Sequence, residues 1–242
     1  TGLIENLWSA HLRTGYPNYR TAVIETLSSI CNRSLFDHIR GGFFRYTVDD
    51  DWSVPHFEKM LYDNALLVSL LSTVHKFEPL PVFEHCVTRT CDWLMREMQL
   101  SSGGFASSLS ADSPTRDDPD VLAGGVFYTC TSEEIQEVLQ DDSQLANQLL
   151  NFCPIDPVTQ TFIVNKADKK EASSLNEAAV INQILKRFSD LQDRRIPPRK
   201  DIKVLTDWNG IVIKCLADAG AQFDRFEVGC AAKLGEVKTM AE

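Results

Sequence analysis

Between Gly41 and Asn64 the chain reads GGFFRYTVDDDWSVPHFEKMLYDN. Few core segments mix so many aromatic and ionisable groups. His56 and Asp63 are residue types that serve as general acid or base. Arg45, Tyr46, Lys59 and Tyr62 supply hydrogen-bond donors, Asp49 to Asp51 supply acceptors, and Trp52 offers a flat apolar face. Aromatic faces beside carboxylates suit sugars, whose rings stack while their hydroxyls bond to charged groups. If a helix begins at Pro55, successive residues turn by 100°, and His56, Lys59 and Asp63 fall within an arc of about 60°. Asn64, Leu67, Leu71 and Val74 continue the same side. The first turns would then line a pocket and the later turns pack below it. The helix N-terminus would add free N–H groups and partial positive charge. The alternative is a salt-bridge network that pins a long loop, since such networks also gather ionisable groups. Residue by residue the structural role is favoured; for the cluster as a whole the pocket is.

A second polar rim is expected at Asp207-Trp208-Asn209, with Asp207 as N-cap of a helix starting at Trp208. Capping, packing and solvation would account for these three residues equally well. Asp49, Asp50 and Asp51 are consecutive and lack the alternating spacing of a calcium loop, so a solvated acidic turn is expected rather than a metal site. The seven cysteines show no C-x-x-C spacing and their number is odd. Buried reduced thiols in a reducing, cytoplasmic setting are expected, and no cofactor is implied.

The elements that must position these groups are read from periodicity. Apolar residues recur at helical spacing over Asn18–Ile39, Pro55–Lys76 and Pro81–Met98. Thr131 and Glu134 form a capping-box pattern at the start of a fourth helix. Ser174–Leu191 reads as a fifth, Trp208 opens a sixth, and Phe226–Met240 is a weaker seventh. Short strands are expected at Phe43–Val48, Gly125–Thr129 and Phe162–Val164, as hairpins between helices. GGF occurs at Gly41–Phe43 and Gly103–Phe105, with GGVF at Gly124–Phe127. The first two follow helices, where glycine supplies a left-handed cap. Their spacing of about one helical hairpin suggests a repeat that builds a solenoid or a closed toroid.

The bulk composition is that of an ordinary globular protein: 242 residues, 43% hydrophobic and 24% charged. A net charge of −10 gives no footprint for nucleic acid or an anionic membrane. No apolar run approaches the roughly 20 residues of a membrane helix. The basic cluster Arg194, Arg195, Arg199 and Lys200 reads as a solvated loop.

The stretch GGFFRYTVDDDWSVPHFEKMLYDNALL closely resembles the signature of the spermatogenesis-associated protein 20 family, whose bacterial relatives are described as thioredoxin-domain-containing proteins. The family pattern reads GGGFxRYSxDxxWxVPHFEKMLYDNAxL. GGFASSLSADS at Gly103–Ser113 and KVLTDWNGIVI at Lys203–Ile213 agree with it, and GGVFYTCTSEEI at Gly124–Ile135 agrees more loosely. The blocks keep the family's order and cover most of Leu35–Ala221. The resemblance implies an all-α fold: one domain that is part of an α/α toroid of the six-hairpin glycosidase type, with short β-hairpin decorations. It also implies a thioredoxin-like domain in the full-length relative, to which these residues do not correspond. The superfamily includes glycosidases and sugar 2-epimerases, so the implied function is binding, or transformation, of a carbohydrate or related small molecule. The candidate catalytic residues are then His56, Asp63 and Asp112. The candidate substrate-binding residues are Arg45, Tyr46, Trp52, Lys59, Tyr62, Asp207, Trp208 and Asn209. The alternative is a non-catalytic interaction or regulatory scaffold, a role in spermatogenesis having been suggested for animal members. Several positions depart from the pattern: Arg40 replaces a third glycine, Ser110 the first acid of an Asp-Ala-Asp, and Cys130 a tryptophan. About seven helices are too few for a full toroid.

Overall fold

A computed structural model describes residues 1–142, 144, 146–147, 150–156, 160–166 and 175–223. The expected seventh helix, Phe226–Met240, lies outside the described residues. In chain order the elements are α1 (Gly2–Thr14), α2 (Pro17–Asn32), β1 (Lys59–Met60), α3 (Leu61–His75), α4 (Pro81–Trp93), β2 (Ser108–Leu109), β3 (Asp112–Pro114), β4 (Leu122–Gly124), β5 (Cys130–Thr131), α5 (Ser132–Leu139), β6 (Leu150–Asp156), β7 (Thr161–Lys166), α6 (Leu175–Gln192), β8 (Lys200–Asp201) and α7 (Thr206–Gln222). The chain is therefore not all-α. Among the described residues eight strands form three small sheets, so the architecture is mixed and the expected α/α toroid is set aside. The chain divides into two compact units, each built from separate stretches of sequence.

The first unit takes Thr1–Cys31, Met60–Ser108 and Lys200–Glu242. Its described residues are mainly helical. Helix α1 has one buried residue, Trp8, whose ring meets Phe77 edge-on at 6.0 Å. Ile4 and Leu7, partly buried, stand with Trp8 at helical spacing, a short stripe that the periodicity reading passed over. Helix α3 buries residues on every side, among them Leu61, Ala65, Val68, Leu71 and Val74. A helix apolar all round belongs inside its unit. Its buried Ser72 donates its hydroxyl to the Val68 carbonyl, so the polar group costs little there. Helix α4 starts with Pro81, whose missing N–H is harmless in the first turn. It continues into a π turn over Leu94–Met98, where the Gln99 N–H reaches the Leu94 carbonyl at 3.0 Å.

The second unit takes Asn32–Lys59 and Leu109–Arg199. Beside the β3-β4 pair, its larger sheet runs β5-β7-β6, antiparallel throughout, with a register shift between Pro154 and Asp156. A proline interrupts a ladder least at such an irregularity, and it disguises β6 as a loop in the sequence. Of the expected strands, Phe162–Val164 lies in β7. Gly125–Thr129 is instead a turn, closed by Tyr128 and Thr129 N–H groups on the Gly125 carbonyl. Helix α5 has the expected capping box: Glu134 N–H donates to Thr131 Oγ1 and Thr131 N–H to the Glu134 carboxylate. One cluster packs Ile39, Val138, Leu150, Val164, Ile184 and Phe188. Another packs Phe44, Phe57, Phe127, Tyr128 and Ile163.

The segment Phe43–Lys59 is neither the expected strand nor the start of a helix. Arg45 N–H donates to Glu58 O, His56 N–H to Tyr46 O, and Val48 N–H to Val54 O, all at 2.8–2.9 Å. The two halves of the segment thus satisfy each other. Phe57 takes φ +69°, which a right-handed helix does not admit. Helix α3 therefore begins only at Leu61, and the shared helical arc of His56, Lys59 and Asp63 does not form.

Candidate functional site

In the first unit, α3 and α7 pack side by side and run parallel. Tyr62 and Trp208 meet near their starts at a ring separation of 4.7 Å. Lys214 reaches Ser69 Oγ midway, at 3.5 Å. His75 and Phe223 meet at the far end, ring to ring at 5.0 Å. Both N-termini therefore lie at one end. Neither carries a side-chain cap: the N-cap positions are Met60 and Leu205. The first turns bear Asp63 and Asp207 instead, and a carboxylate in the first turn suits the positive end of the helix dipole. Asp207 is thus not the N-cap; it stands one turn position inside α7 and is exposed.

The same end is fastened by Asn209. Its side-chain oxygen accepts the Phe105 N–H at 2.8 Å, and its amide donates to the carbonyls of Phe105 and Leu205 at 3.2 and 3.0 Å. Asn209 therefore holds the Gly103–Phe105 turn against α7 rather than offering hydrogen bonds to a ligand. Both glycines of that turn have positive φ, as do Gly41 and Gly42, but neither pair caps a helix as expected: α2 ends at Asn32 and the π turn after α4 at Met98. Ser107 adds a second tie, its N–H donating to the Asp201 carbonyl at 2.9 Å, while its own carbonyl accepts the Leu61 N–H at 2.9 Å. This end also carries a tilted pair of half-buried rings, Tyr62 and Trp208, and the exposed carboxylate of Asp207.

The remaining candidates belong to the second unit. His56 stacks on Tyr46 with ring centroids 4.5 Å apart and planes at 20°. Its Nδ1 is buried with no hydrogen-bond partner among the described residues. Arg45 pairs with Glu58 at 2.9 Å. Trp52 takes φ +57° at the tip of the loop. Asp49 closes the acidic turn by accepting the N–H groups of Ser53 and Val54, the latter at 2.6 Å, which matches the expected turn. Asp112 lies on β3, paired with Gly124, and is exposed.

Lys59 is not a ligand-binding group. It is completely buried, and its ammonium donates to Asp37 Oδ2 at 2.7 Å and to the Gly41 carbonyl at 2.8 Å. The rings of Phe44 and Tyr128 lie 4.9 and 5.0 Å from it, close enough for cation–π attraction. Asp37 Oδ1 accepts the N–H groups of Ile39 and Arg40, each at 3.0 Å. Burial pushes the Asp37 carboxyl up, but the Lys59 ammonium and the Arg40 N–H and charge outweigh it and hold the carboxyl below its ordinary range. Sequence reasoning missed Asp37 because its partner stands 22 residues away, beyond any local spacing.

Arg195 corrects the solvated-loop expectation for its neighbourhood. It is mostly buried, donating to the carbonyls of Val126, Phe127 and Thr129 and pairing with Glu134 at 2.8 Å. Burial raises the Glu134 carboxyl; the Thr131 N–H, Arg195 and Arg116 together bring it below the usual range. Cys130, in the same region, is pushed up to about 11, chiefly by burial. Among the described residues no three His, Cys, Asp or Glu side chains converge as metal ligands. No described helix is long and apolar enough to cross a membrane.

The fold and this rim define a mixed helical and antiparallel protein with an aromatic and acidic end to a parallel helix pair. No family model matches the chain. Spermatogenesis-associated protein 20 of Homo sapiens is 28% identical over 225 residues, 82% of this chain and 28% of that protein. The protein of the same name in Mus musculus is 26% identical over the same length. An uncharacterized protein of Caenorhabditis elegans is 26% identical over 221 residues, 81% of this chain and 30% of its own length. The chain is thus distantly related to spermatogenesis-associated protein 20, and it spans under a third of the curated relatives it matches.

Proposed function

We propose that this chain binds a carbohydrate or a related polyhydroxylated small molecule at the common N-terminal end of α3 and α7. The observation that supports this reading most is the Tyr62–Trp208 ring pair, 4.7 Å apart, on the same helix turns as Asp63 and Asp207. Such rings offer a face to the C–H side of a sugar, carboxylates accept its hydroxyls, and N–H groups at helix starts donate to its oxygens. The reading is one of binding. Hydrolysis of a glycosidic bond takes two carboxylates at a separation of about 5–10 Å, and the acids carried on these adjoining helix starts are Asp63 and Asp207. His56 and Asp112, the other groups considered for chemistry, belong to the second unit. A second reading, a non-catalytic interaction scaffold, is favoured by the structural engagement of Lys59, Arg45 and Asn209.

The test is titration of the chain with mono- and disaccharides, read by tryptophan fluorescence and by thermal shift. A ligand that binds only the folded state raises the melting temperature by mass action. Saturable quenching that disappears in Trp208→Phe and weakens in Asp207→Asn is the expected result. A cooperative melt with neither quenching nor a shift from any sugar would sink the binding reading and leave the scaffold.

A further inference from the structure

The second unit contains a pocket of about 360 Å³, within the range of small-molecule sites. We propose that it binds a small organic carboxylate with an apolar body. Its lining includes Arg116, Arg194 and Arg195 against a single carboxylate, Glu134. A surplus of guanidinium groups in a chain of net charge −10 is a local inversion of sign, and it attracts anions. The lining also has an apolar part: Phe127, Leu191 and Ile196 with prolines at 114 and 119.

The division of labour among the arginines points to a single-charged ligand. Arg195 is spent on three carbonyls and on Glu134. Arg116 donates from Nε and Nη2 to Glu134 and from Nη2 to Thr129 O, which leaves Nη1 for a ligand. Arg194 is exposed at the pocket wall, and no hydrogen bond of its guanidinium is found among the described residues. Glu134 already sits in the fork of two arginines, so the site is shaped to hold one carboxylate and has donors for a second. An adjoining pocket of about 460 Å³ shares Arg116, Thr115 and Val126, but there Asp117 and Asp156 oppose the arginine. The anion therefore belongs in the first pocket, with its apolar part against Phe127 and Ile196. Ile196 is 56% exposed, and a ligand seated there would cover it.

Isothermal titration of the full chain with hexanoate and phenylacetate, at low salt, tests this. The expected result is saturable binding, weakened about tenfold in Arg194→Gln, the loss typical of a charge-assisted hydrogen bond. Arg199→Gln, which removes the same charge outside the pocket, should leave the affinity unchanged, and hexanamide should bind at least tenfold more weakly. The proposal is overturned if no saturable binding occurs up to about 10 mM, the limit of a meaningful weak site. It is overturned equally if hexanamide matches hexanoate, or if the two arginine variants lose affinity alike. Inorganic phosphate competing as strongly as hexanoate would replace the carboxylate assignment with a general anion site. Both arginines are exposed and sit outside the cores, so their replacement does not confound binding with folding. Sugar binding at α3 and α7 can fail without touching any of these outcomes.

Discussion

Replacing Lys59 by Met isolates the buried pair at the centre of the second unit. Methionine keeps the apolar stem but removes the ammonium that serves Asp37 Oδ2 and the Gly41 carbonyl. Lys59 is fully buried and Asp37 is 5% exposed, so little water can take the place of the lost partner. Breaking one side of a buried pair costs about 3–5 kcal/mol. For a chain of this size that corresponds to a fall of roughly 6–20 °C in Tm, at about 2–4 °C per kcal/mol. The double variant Asp37→Asn/Lys59→Met removes the stranded charge, and the amide oxygen can still accept the N–H groups of Ile39 and Arg40. It should recover most of the loss. The two pH dependences have opposite signs. In the wild type the Asp37 carboxyl is held below its ordinary value, so its stabilisation is present above the unfolded pKa of about 3.9 and is lost as pH falls through the lower folded value. In Lys59→Met the ammonium is gone and only the Arg40 N–H and charge still oppose burial, the largest effect, so the folded pKa should rise above the unfolded one. The deficit of the variant should then be largest near pH 7 and shrink as pH falls towards about 4. Thermal melts of the three proteins at pH 7, 5.5 and 4 measure all of this. A Lys59→Met protein melting within 2 °C of wild type, the shift of under about 1 kcal/mol, would refute the reasoning, as would a double variant no better than the single.

Two further outcomes follow from the packing. Gly125 takes φ +76°, and a Cβ there would stand 2.4–2.8 Å from the ring carbons of Phe57; Gly125→Ala should cost roughly 2–5 kcal/mol from left-handed strain and overpacking together, and a denaturant midpoint unchanged from wild type would show that the ring yields freely. Among the described cysteines, Cys31, Cys86, Cys91, Cys130 and Cys215 are buried and Cys153 is partly exposed. A thiol reagent at pH 8 should therefore label Cys153 well ahead of Cys130, whose thiol is pushed up to about 11, and peptide mapping showing Cys130 labelled first in the native protein would contradict that burial.

The helices were legible where burial is one-sided and capping is local. Thr131 and Glu134 announce α5 because both halves of the capping box lie within four residues. The run from Pro81 announces α4 because its buried residues, Phe83, Cys86, Val87 and Thr90, recur at helical spacing. The sheet escaped because β6 is broken by Pro154 and pairs through a register shift, which blurs the period-two signal. The opening stretch was misread for a related reason. His56, Phe57 and Glu58 have helix-compatible side chains, but the backbone partners of His56 and Glu58 are Tyr46 and Arg45, a long-range competition that no window of local propensity contains. Of the candidate site, the rings of Tyr62 and Trp208, taken from two separate blocks of sequence, lie 4.7 Å apart. The assignments of Lys59 and Asn209 to a ligand failed because a charge or amide in sequence carries no mark of whether its partner is a ligand or the protein's own backbone.

The chain crosses between its two units near residues 31, 59, 108 and 199, and this orders events during synthesis. All the sequence of the second unit has been made once residue 199 has emerged. The first unit still lacks α7 at that moment. Helix α3, buried along most of its surface, gains α4 soon after it is made, but its other partner, α7, contacts it across 145 residues, as Lys214 does Ser69. Such distant pairings form late, because the loop must close before its contacts repay the closure. A nascent chain therefore carries the α7-facing side of this Leu-rich helix uncovered for the time it takes to make more than a hundred residues, which is the kind of surface that holdase chaperones recognise.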